Sequence, residues 1–385
     1  MTERDPRDPF RLKVASFLST FDRFAMPPML VGIARSLDVP LTQVAAAAGV
    51  YYLTYGLMQP VWGILSTRIG LARTMRWCIA AGSLATLGSA LAPGVTSLTV
   101  SRAVAGGFFS AAFPAALIYV GATAASHRRQ REVTDLMTGV ALGTALSTVI
   151  AGSLTYVAGW RWAFALTGAV CLVSTLSVAR LTELERTPFR SPLVAPLRRV
   201  LSNRTVYQLL VLAVLDGLAI LGALTFLPTA IESSGRNAAV AAAVTATYGA
   251  AVLVAARVVG RLSRRVAASQ FILVGSLIGA AACGLLALSV GVVTALVACV
   301  LIGVAWASMH SSLQTWATEV SPADRGLTVS FFAGSLFAGS ALAAALGGPF
   351  AERLDFSALY LTAGLVLVTI GVCGYIARAH WEHQQ

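Results

Sequence analysis

The sequence predicts an all-α membrane protein with twelve transmembrane helices in two pseudo-symmetric six-helix bundles. Hydrophobic residues make up 57% of its 385 residues and charged residues only 11%, whereas about 25% of the residues of an ordinary domain are charged. The apolar residues occur in continuous runs, and a helix needs about 20 of them to cross a bilayer. Transmembrane strands would instead alternate polar and apolar residues.

Twelve apolar runs reach the length of a membrane-spanning helix, and we number them spans 1 to 12. They cover residues 14–36, 43–66, 74–92, 97–122, 134–157, 162–181, 206–231, 239–260, 268–289, 291–316, 327–349 and 357–377. Residues 1–13 are polar and the first apolar run is itself long enough to span, so no cleavable signal peptide is expected. The cysteines lie inside apolar runs without a CxxC or Cys/His spacing, so no disulfide, metal site or other cofactor is expected.

The longest polar connection follows span 6 and divides the sequence into three regions. Residues 1–181 are predicted to form an N-terminal six-helix bundle, residues 182–204 a cytoplasmic linker, and residues 205–385 a C-terminal six-helix bundle. Repeated halves with a binding site between them are typical of transporters.

The two halves share short patterns at a nearly constant offset. The segment GILSTRI from Gly63 matches GRLSRRV from Gly260 at an offset of 197 residues. Asp22 recurs as Asp216 at an offset of 194 residues. These matches predict an internal repeat of six spans.

The net charge of +12 is explained by topology and not by a nucleic-acid partner. If the N-terminus lies inside, the inner connections carry twenty basic residues and the outer connections carry four, Arg35, Arg161, Arg236 and Arg353. An excess of basic residues in cytoplasmic loops is the usual orientation signal. Both termini are therefore predicted to be cytoplasmic, and the preference for Arg over Lys suggests the inner membrane of a bacterium with a GC-rich genome.

Four short segments resemble motifs that occur together in known transporters. GILSTRIGLARTM from Gly63 resembles the signature G-x-L-a-D-R-x-G-r-r of the major facilitator superfamily, and SRAVAGGFFSAA from Ser101 resembles its span 4 motif R-x-x-q-G-x-g-a-a. GTALSTVIAGSL from Gly143 is similar to its span 5 motif G-x-x-x-G-P-x-x-G-G, and GWRWAF from Gly159 recurs at its span 6. The resemblance covers the whole sequence and implies the twelve-helix fold, alternating access and no enzymatic chemistry.

The resemblance also assigns conformational roles to seven residues, Gly63, Thr67, Arg68, Gly70 and Arg73 between spans 2 and 3, and Gly143 and Gly152 in span 5. Thr67 stands where the family has an acid that caps a helix end and forms an ionic contact on the cytoplasmic side, so a weaker closure of that side is expected. In span 5, Ser147 and Thr148 replace the Gly and Pro of a motif associated with antiporters, which weakens the case for proton exchange.

Two aspartates are placed near the middle of the predicted membrane. Asp22 in span 1 and Asp216 in span 7 lie about 13–15 Å from the cytoplasmic start of their spans, at 1.5 Å per residue. Ionisable residues at this depth are usually functional. We expect Asp22 to be the leading proton carrier and Asp216 the second, with His310 of span 10 as a third candidate because histidine titrates near neutral pH. The alternative is that each aspartate forms a permanent ion pair with an arginine and that His310 only packs.

Arginines and one face of span 2 are the candidates for substrate binding. Arg23 cannot face its neighbour Asp22 on a helix, and Arg102 of span 4 can reach either Asp22 or a substrate carboxylate. Two permanent cations in one half favour an anionic group. A shared polar face either contacts a ligand of mixed polarity or forms interhelical hydrogen bonds, and it consists of Tyr52, Tyr55 and Gln59.

These observations predict a monomeric secondary transporter, and not an enzyme, whose partners are a small-molecule substrate, protons and the lipid bilayer. Proton-coupled efflux of a drug or metabolite is the first expectation. The Asp-Arg pair of span 1 also resembles organic-anion symporters and spinster-type lysolipid transporters, although the acid that follows the span 4 arginine in those branches is absent here. A further alternative is a sensor or binding protein that keeps the fold and does not transport.

Overall fold

The computed structural model describes residues 8–124, 126–184, 194–263 and 265–384, and these residues are helical almost throughout. The first half contains α1 (Asp8–Arg23), a 3-10 turn (Pro27–Met29), α2 (Leu30–Leu37), α3 (Leu41–Ile69), α4 (Leu71–Ala90), α5 (Val95–Phe109), α6 (Ala112–Thr123), α7 (Ser126–Val157) and α8 (Trp160–Ala179).

The second half begins with a short helix from the predicted linker, whose residues 185–193 lie outside the described ranges. Its elements are α9 (Val194–Ser202), α10 (Arg204–Asp216), a π-helical segment (Gly217–Leu221), α11 (Gly222–Ser233), α12 (Ala238–Leu262), α13 (Ala268–Leu288), α14 (Val292–Ala305), a second π-helical segment (Trp306–His310), α15 (Ser311–Glu319), a 3-10 turn (Pro322–Asp324), α16 (Arg325–Glu352) and α17 (Phe356–Glu382). No β-strand occurs among the described residues.

Nine helices in the described part of the chain are long and apolar enough to cross a membrane. They correspond to predicted spans 4 to 12 and run over Val95–Thr123, Arg131–Val157, Trp160–Ala179, Arg204–Ser233, Ala238–Leu262, Ala268–Leu288, Val292–Glu319, Pro322–Glu352 and Phe356–Glu382. The prediction of an all-helical membrane fold is therefore confirmed.

The helices at predicted spans 1 to 3 are shorter or more polar. α1 has only 16 residues, α3 contains three tyrosines, Gln59 and Pro60, and α4 carries Arg73 and Arg76 near its start. Twelve crossings and a division into two six-helix bundles therefore stay predictions. Some of the polar residues that make α3 less apolar are themselves candidate site residues.

Helix irregularities lie next to the charged residues of the interior. α1 ends at Arg23, and the chain continues through the 3-10 turn at Pro27–Met29, where proline lacks the N–H that a regular helix would use. Asp216 directly precedes the first π-helical segment and His310 ends the second. Such segments insert an extra residue into a helix and are frequent at functional sites.

The contact between α3 and α16 runs along most of both helices and is made close by small residues. Three glycines of α3, seven residues apart, lie against α16: Gly49 against Ala341, Gly56 against Gly334 and Gly63 against Ser330. Residues seven apart return to the same helix face after two turns. Without side chains between them, the two backbones approach as they do at small-residue interfaces between membrane helices.

Equivalent glycines pack against the first predicted span of each half. Gly143 of α7 lies against the backbone of Phe17 in α1, and Gly339 of α16 lies against the backbone of Val214 in α10. Gly339 follows Gly143 by 339 − 143 = 196 residues, close to the offset of the sequence repeats. The buried apolar side chains form one cluster mainly in the first half and one mainly in the second. Equivalent close contacts therefore occur in both halves at nearly the offset of the sequence matches.

We expect Gly56→Ala to lower the melting temperature of the purified protein. A methyl group at this position would lie 2.7 Å from the carbonyl oxygen of Gly334, and overpacking of this kind costs about 1–3 kcal/mol. Gly121→Ala is the matched control, because nothing lies within 4 Å of a methyl group there and the exchange favours a helix by about 0.5–1 kcal/mol. Equal melting temperatures for the two variants would contradict the close contact of α3 with α16.

Candidate functional site

Asp22 and Arg102 form an ion pair that is shielded from solvent. Asp22 is the penultimate residue of α1, and Arg102 lies midway along α5. The guanidinium Nη1 is 3.3 Å from both carboxylate oxygens, and Nη2 is 3.3 Å from Oδ1. Asp22 is 0% exposed and Arg102 is 1% exposed. Of the two partners expected for Arg102, the structure shows the carboxylate of Asp22.

Hydroxyl groups of α4 complete this first pair. Thr86 donates a hydrogen bond to Asp22 Oδ1 at 2.5 Å, and Arg102 donates to Thr86 Oγ1 at 2.7 Å and to Ser89 Oγ at 3.0 Å. The rings of Tyr51 and Phe164 lie 5.3 and 4.7 Å from the guanidinium carbon, within the range of a cation–π contact. The pair therefore joins α1, α4 and α5 through a closed network of hydrogen bonds.

Arg23 lies apart from this network, at the contact between the two halves. Its guanidinium carbon is 5.0 Å from the ring centres of Phe24 and Phe337 and 5.3 Å from that of Tyr55. Phe337 belongs to α16, so residues of both halves surround this cation. Arg23 Nε is buried without a hydrogen-bond partner, and no carboxylate of the described residues forms an ion pair with it. A cation of this kind is suited to an anionic or polar ligand.

Asp216 and His310 form a second buried pair. His310 Nδ1 lies 2.7 Å from Asp216 Oδ2, and Asp216 is 0% exposed. The imidazole stacks on Trp306 with 3.7 Å between the ring centres and an angle of 14° between the planes. Asp216 Oδ1 is buried and has no hydrogen-bond partner in the described ranges. This carboxylate therefore meets a titratable group and not a permanent cation.

The two pairs occupy equivalent places in the internal repeat. In each half, an aspartate of the first span meets a basic residue of the fourth span, because span 10 is the fourth span of the second half. Asp22 was expected to meet an arginine or a proton, and it meets Arg102. Asp216 meets His310, a pairing that the sequence did not indicate although both residues were proposed separately.

The three residues of the predicted polar face of α3 do not share one environment. Tyr55 hydroxyl lies 2.8 Å from Ser19 Oγ, which donates to the carbonyl of Phe109 at 3.1 Å. The ring of Tyr55 also contacts Arg23, so this tyrosine belongs to the contact between the halves. Tyr52 and Gln59 are buried, but neither forms a hydrogen bond with Asp22 or Asp216.

The start of α4 is capped by the carboxylate of Glu183, a contact that the sequence did not indicate. Glu183 accepts hydrogen bonds from the backbone N–H groups of Ala72 at 3.3 Å and Arg73 at 2.8 Å. Gly70 has a φ of 116°, which favours glycine, and any side chain there would meet the Glu183 carboxylate. Negative charge is favourable at a helix N-terminus. Glu183 lies after span 6, and no sequence motif there predicts a contact with α4.

The remaining conformational residues are partly described. The side chain of Thr67 lies outside the described residues, and Arg68 is exposed. Gly63 lies against Ser330 of α16, and Gly152 lies against Ala242 of α12. Both glycines therefore contact the second half, and their conformational role stays a prediction.

At the end of the linker, α9 is joined to the second half. Arg199 donates from Nε and Nη2 to the two carboxylate oxygens of Asp324, each at 2.9 Å. These hydrogen bonds raise the pKa of Arg199 above its ordinary value. Within the described ranges, no group of three His, Cys, Asp or Glu side chains is placed to hold a metal ion.

Comparison with known sequences identifies the family. The sequence profile described as Major Facilitator Superfamily matches residues 12–325. The chain belongs to the Major Facilitator Superfamily. Because the members of this superfamily are transporters, the predictions of the family and of a protein that is not an enzyme are confirmed.

Three curated relatives each match about half of this chain. It is 30% identical over 177 residues to the MFS-type transporter R5 of Phoma sp., 26% over 193 residues to the Methylenomycin A resistance protein of Streptomyces coelicolor, and 22% over 188 residues to the uncharacterized MFS-type transporter YfhI of Bacillus subtilis. The matches cover 44%, 48% and 49% of this chain but only 34%, 41% and 46% of the relatives. The matched part therefore spans less than half the length of each relative.

Two solved structures share the fold over nearly their whole length. A crystal structure of the nucleoside transporter NupG matches with a TM-score of 0.76 at 15% identity and covers 96% of this chain and 99% of NupG. A bacterial homologue of the human lysosomal transporter Spinster, in an inward-facing and unoccupied conformation, matches with a TM-score of 0.75 at 18% identity and covers 98% and 96%. At these identities the likeness establishes the fold alone.

We expect Asp22→Asn and Arg102→Gln each to destabilise the protein strongly. Each change leaves a buried group without its charged partner, and breaking a buried ion pair from one side typically costs about 3–5 kcal/mol. The double variant should lose less than the sum of the two, because its residues are in contact. Denaturant unfolding of the purified variants measures all three losses. Additive losses would contradict an energetic link between Asp22 and Arg102.

Proposed function

We propose that this protein is a proton-coupled secondary transporter that exports a small organic molecule, a drug or a metabolite, by alternating access. In this proposal it crosses the cytoplasmic membrane of a bacterium twelve times as two six-helix bundles, acts as a monomer and has both termini in the cytoplasm. Superfamily membership supports the transport class, and the distribution of basic residues supports the orientation. The buried contact between Asp216 and His310 carries the proposal of proton coupling.

The second pair can exchange a proton with a change in net charge. When the pair holds the proton, the negative aspartate and the positive imidazolium give a net charge of zero. When the proton leaves, the imidazole is neutral and the pair has a net charge of −1. Arg102 is permanently charged, so protonation of Asp22 would leave a buried cation without its partner. We therefore assign the main coupling role to Asp216 and His310 and a secondary role to Asp22.

In this proposal, the two π-helical segments couple the proton to movement of the helices in the second half. Asp216 directly precedes one π-helical segment and His310 ends the other, and such segments are frequent at functional sites. Loss of the 2.7 Å hydrogen bond would release α10 from the helix that carries His310. A change in proton occupancy would in this way favour one arrangement of the second half over another.

Efflux is the direction that one relative supports. One of the three is named a Methylenomycin A resistance protein, and export is one means by which a transporter confers resistance. The matched part covers 41% of that protein, so its substrate is not transferred to this chain.

We expect Asp216→Asn to abolish concentrative transport while exchange of substrate across the membrane persists. The amide keeps the size of the carboxylate and cannot release a proton. The measurement uses proteoliposomes with an imposed pH gradient and a labelled compound chosen by its effect on the melting temperature, from a panel of organic anions, lipophilic cations and lysolipids. His310→Gln should give the same result.

Asp38→Asn is the matched control for this experiment. Asp38 is exposed and has a φ of 51°, a conformation that asparagine adopts readily. Unchanged accumulation in Asp216→Asn would exclude this pair as the coupling site. Binding without flux in any reconstitution would instead favour a sensor on the same fold.

A second candidate function is supported by the surroundings of Arg23. A cation between three aromatic rings, with a buried Nε that has no hydrogen-bond partner, suits a substrate with an acidic group and an apolar body. Organic anions and lysolipids both have this composition. Under this alternative Arg23 binds the acidic group while Tyr55 and Phe337 contact the body of the ligand.

Arg23→Gln separates the two candidates. If the substrate is an anion, the variant should lose at least about tenfold in affinity, since a hydrogen bond to a charged group contributes about 1.5–3 kcal/mol. The measurement is the ligand-dependent rise in melting temperature across the same panel. Stabilisation by lipophilic cations that persists in Arg23→Gln would favour drug efflux and contradict the organic-anion alternative.

A further inference from the structure

A groove lies between the ends of α1 and α8 on the side predicted to be cytoplasmic. It has a volume of about 390 Å³ and is lined by Phe10, Arg11, Leu176, Ser177 and Arg180. Phe10 and Leu176 are 65% and 68% exposed. Exposed apolar surface that is rimmed by polar residues marks sites of membrane or ligand interaction.

One arginine of the groove is held in place by the protein. Arg11 is 7% exposed and donates from Nη1 to Asp8 Oδ1 at 2.9 Å and to the carbonyl oxygen of Arg180 at 2.7 Å. Asp8 also accepts a hydrogen bond from the hydroxyl of Tyr119 at 3.1 Å. These contacts join the start of α1 to the end of α8 and leave the groove with a defined shape.

The other arginine is available to a ligand. The side chain of Arg180 is exposed and follows directly on the membrane-spanning segment Trp160–Ala179. Among the described residues at the groove, Arg11 and Arg180 each carry a positive charge and Asp8 carries a negative one. Arginine binds phosphate oxygens with two parallel hydrogen bonds.

The apolar and cationic parts lie side by side at the end of a membrane helix. Basic pockets between transmembrane helices on the cytoplasmic side are suited to anionic lipid headgroups. A soluble phosphate compound would use the arginine but would leave Phe10 and Leu176 uncovered. A phospholipid can contact both the arginine and the apolar side chains, because its phosphate and its acyl chains belong to one molecule.

We propose that this groove binds one anionic phospholipid, with the headgroup phosphate on Arg180 and Ser177 and an acyl chain along Phe10 and Leu176. The bound lipid contacts both α1 and α8 on the exposed surface of the groove. The buried Arg11 joins the same two helices within the protein. This inference depends on the membrane placement of α8 and is independent of the transported substrate.

Native mass spectrometry of the full chain in detergent tests the proposal. Phosphatidylglycerol should remain bound as one molecule per chain, whereas phosphatidylcholine should be lost under the same conditions. Arg180→Gln should weaken the retention of phosphatidylglycerol about fivefold, since one arginine near an anionic lipid contributes about 1 kcal/mol. Phe10→Ala should weaken it as well, without a change in charge.

Arg198→Gln is the matched control, because Arg198 is an exposed arginine of α9 on the same predicted side of the membrane and is not part of the groove. Equal losses in Arg180→Gln and Arg198→Gln would overturn the proposal in favour of general surface attraction. Equal retention of the two lipids would also overturn it. Displacement of phosphatidylglycerol by soluble glycerol 3-phosphate at equal concentration would indicate a phosphate site and contradict a lipid site.

Discussion

A charge that water cannot reach must find its partner inside the protein, and this constraint organises the centre of the molecule. In both halves the first span carries a buried aspartate, and the fourth span carries the basic side chain that meets it. The hydroxyl groups of Thr86 and Ser89, the rings around Arg102 and the stacking of His310 on Trp306 are arranged around these two contacts. The interruptions of α1 and α10 lie directly beside the same two aspartates.

The equivalent pairs differ in what each leaves unsatisfied. In the first pair both carboxylate oxygens and three guanidinium nitrogens have partners. In the second pair Asp216 Oδ1 has none among the described residues. A completed network resists change because each bond constrains the others. The difference between the two pairs is consistent with the proposed coupling at Asp216 and His310.

Sequence reasoning found the elements that depend on local composition and missed those that depend on distant contacts. Apolar runs located the helices, and the depth of Asp22 and Asp216 identified both as unusual, because the cost of burying a charge can be read from a single span. The partner of a charge cannot be read in that way. His310 lies 94 residues from Asp216, and Glu183 lies 110 residues from the backbone of Arg73 that it caps. Thr86 and Ser89, one turn apart on α4, are the one local sign in the sequence that a polar partner lies nearby.

The connection between the halves is attached at both of its ends. Glu183 holds its beginning to α4 of the first half, and Arg199 holds its end to Asp324 of the second. Only the nine residues 185–193 lie between the described ends of this connection, and an extended chain reaches about 3.5 Å per residue. The connection therefore acts as a tether of fixed maximum length, about 30–35 Å. Any movement of the halves that would separate residues 184 and 194 beyond that reach would first have to break one of the two carboxylate contacts.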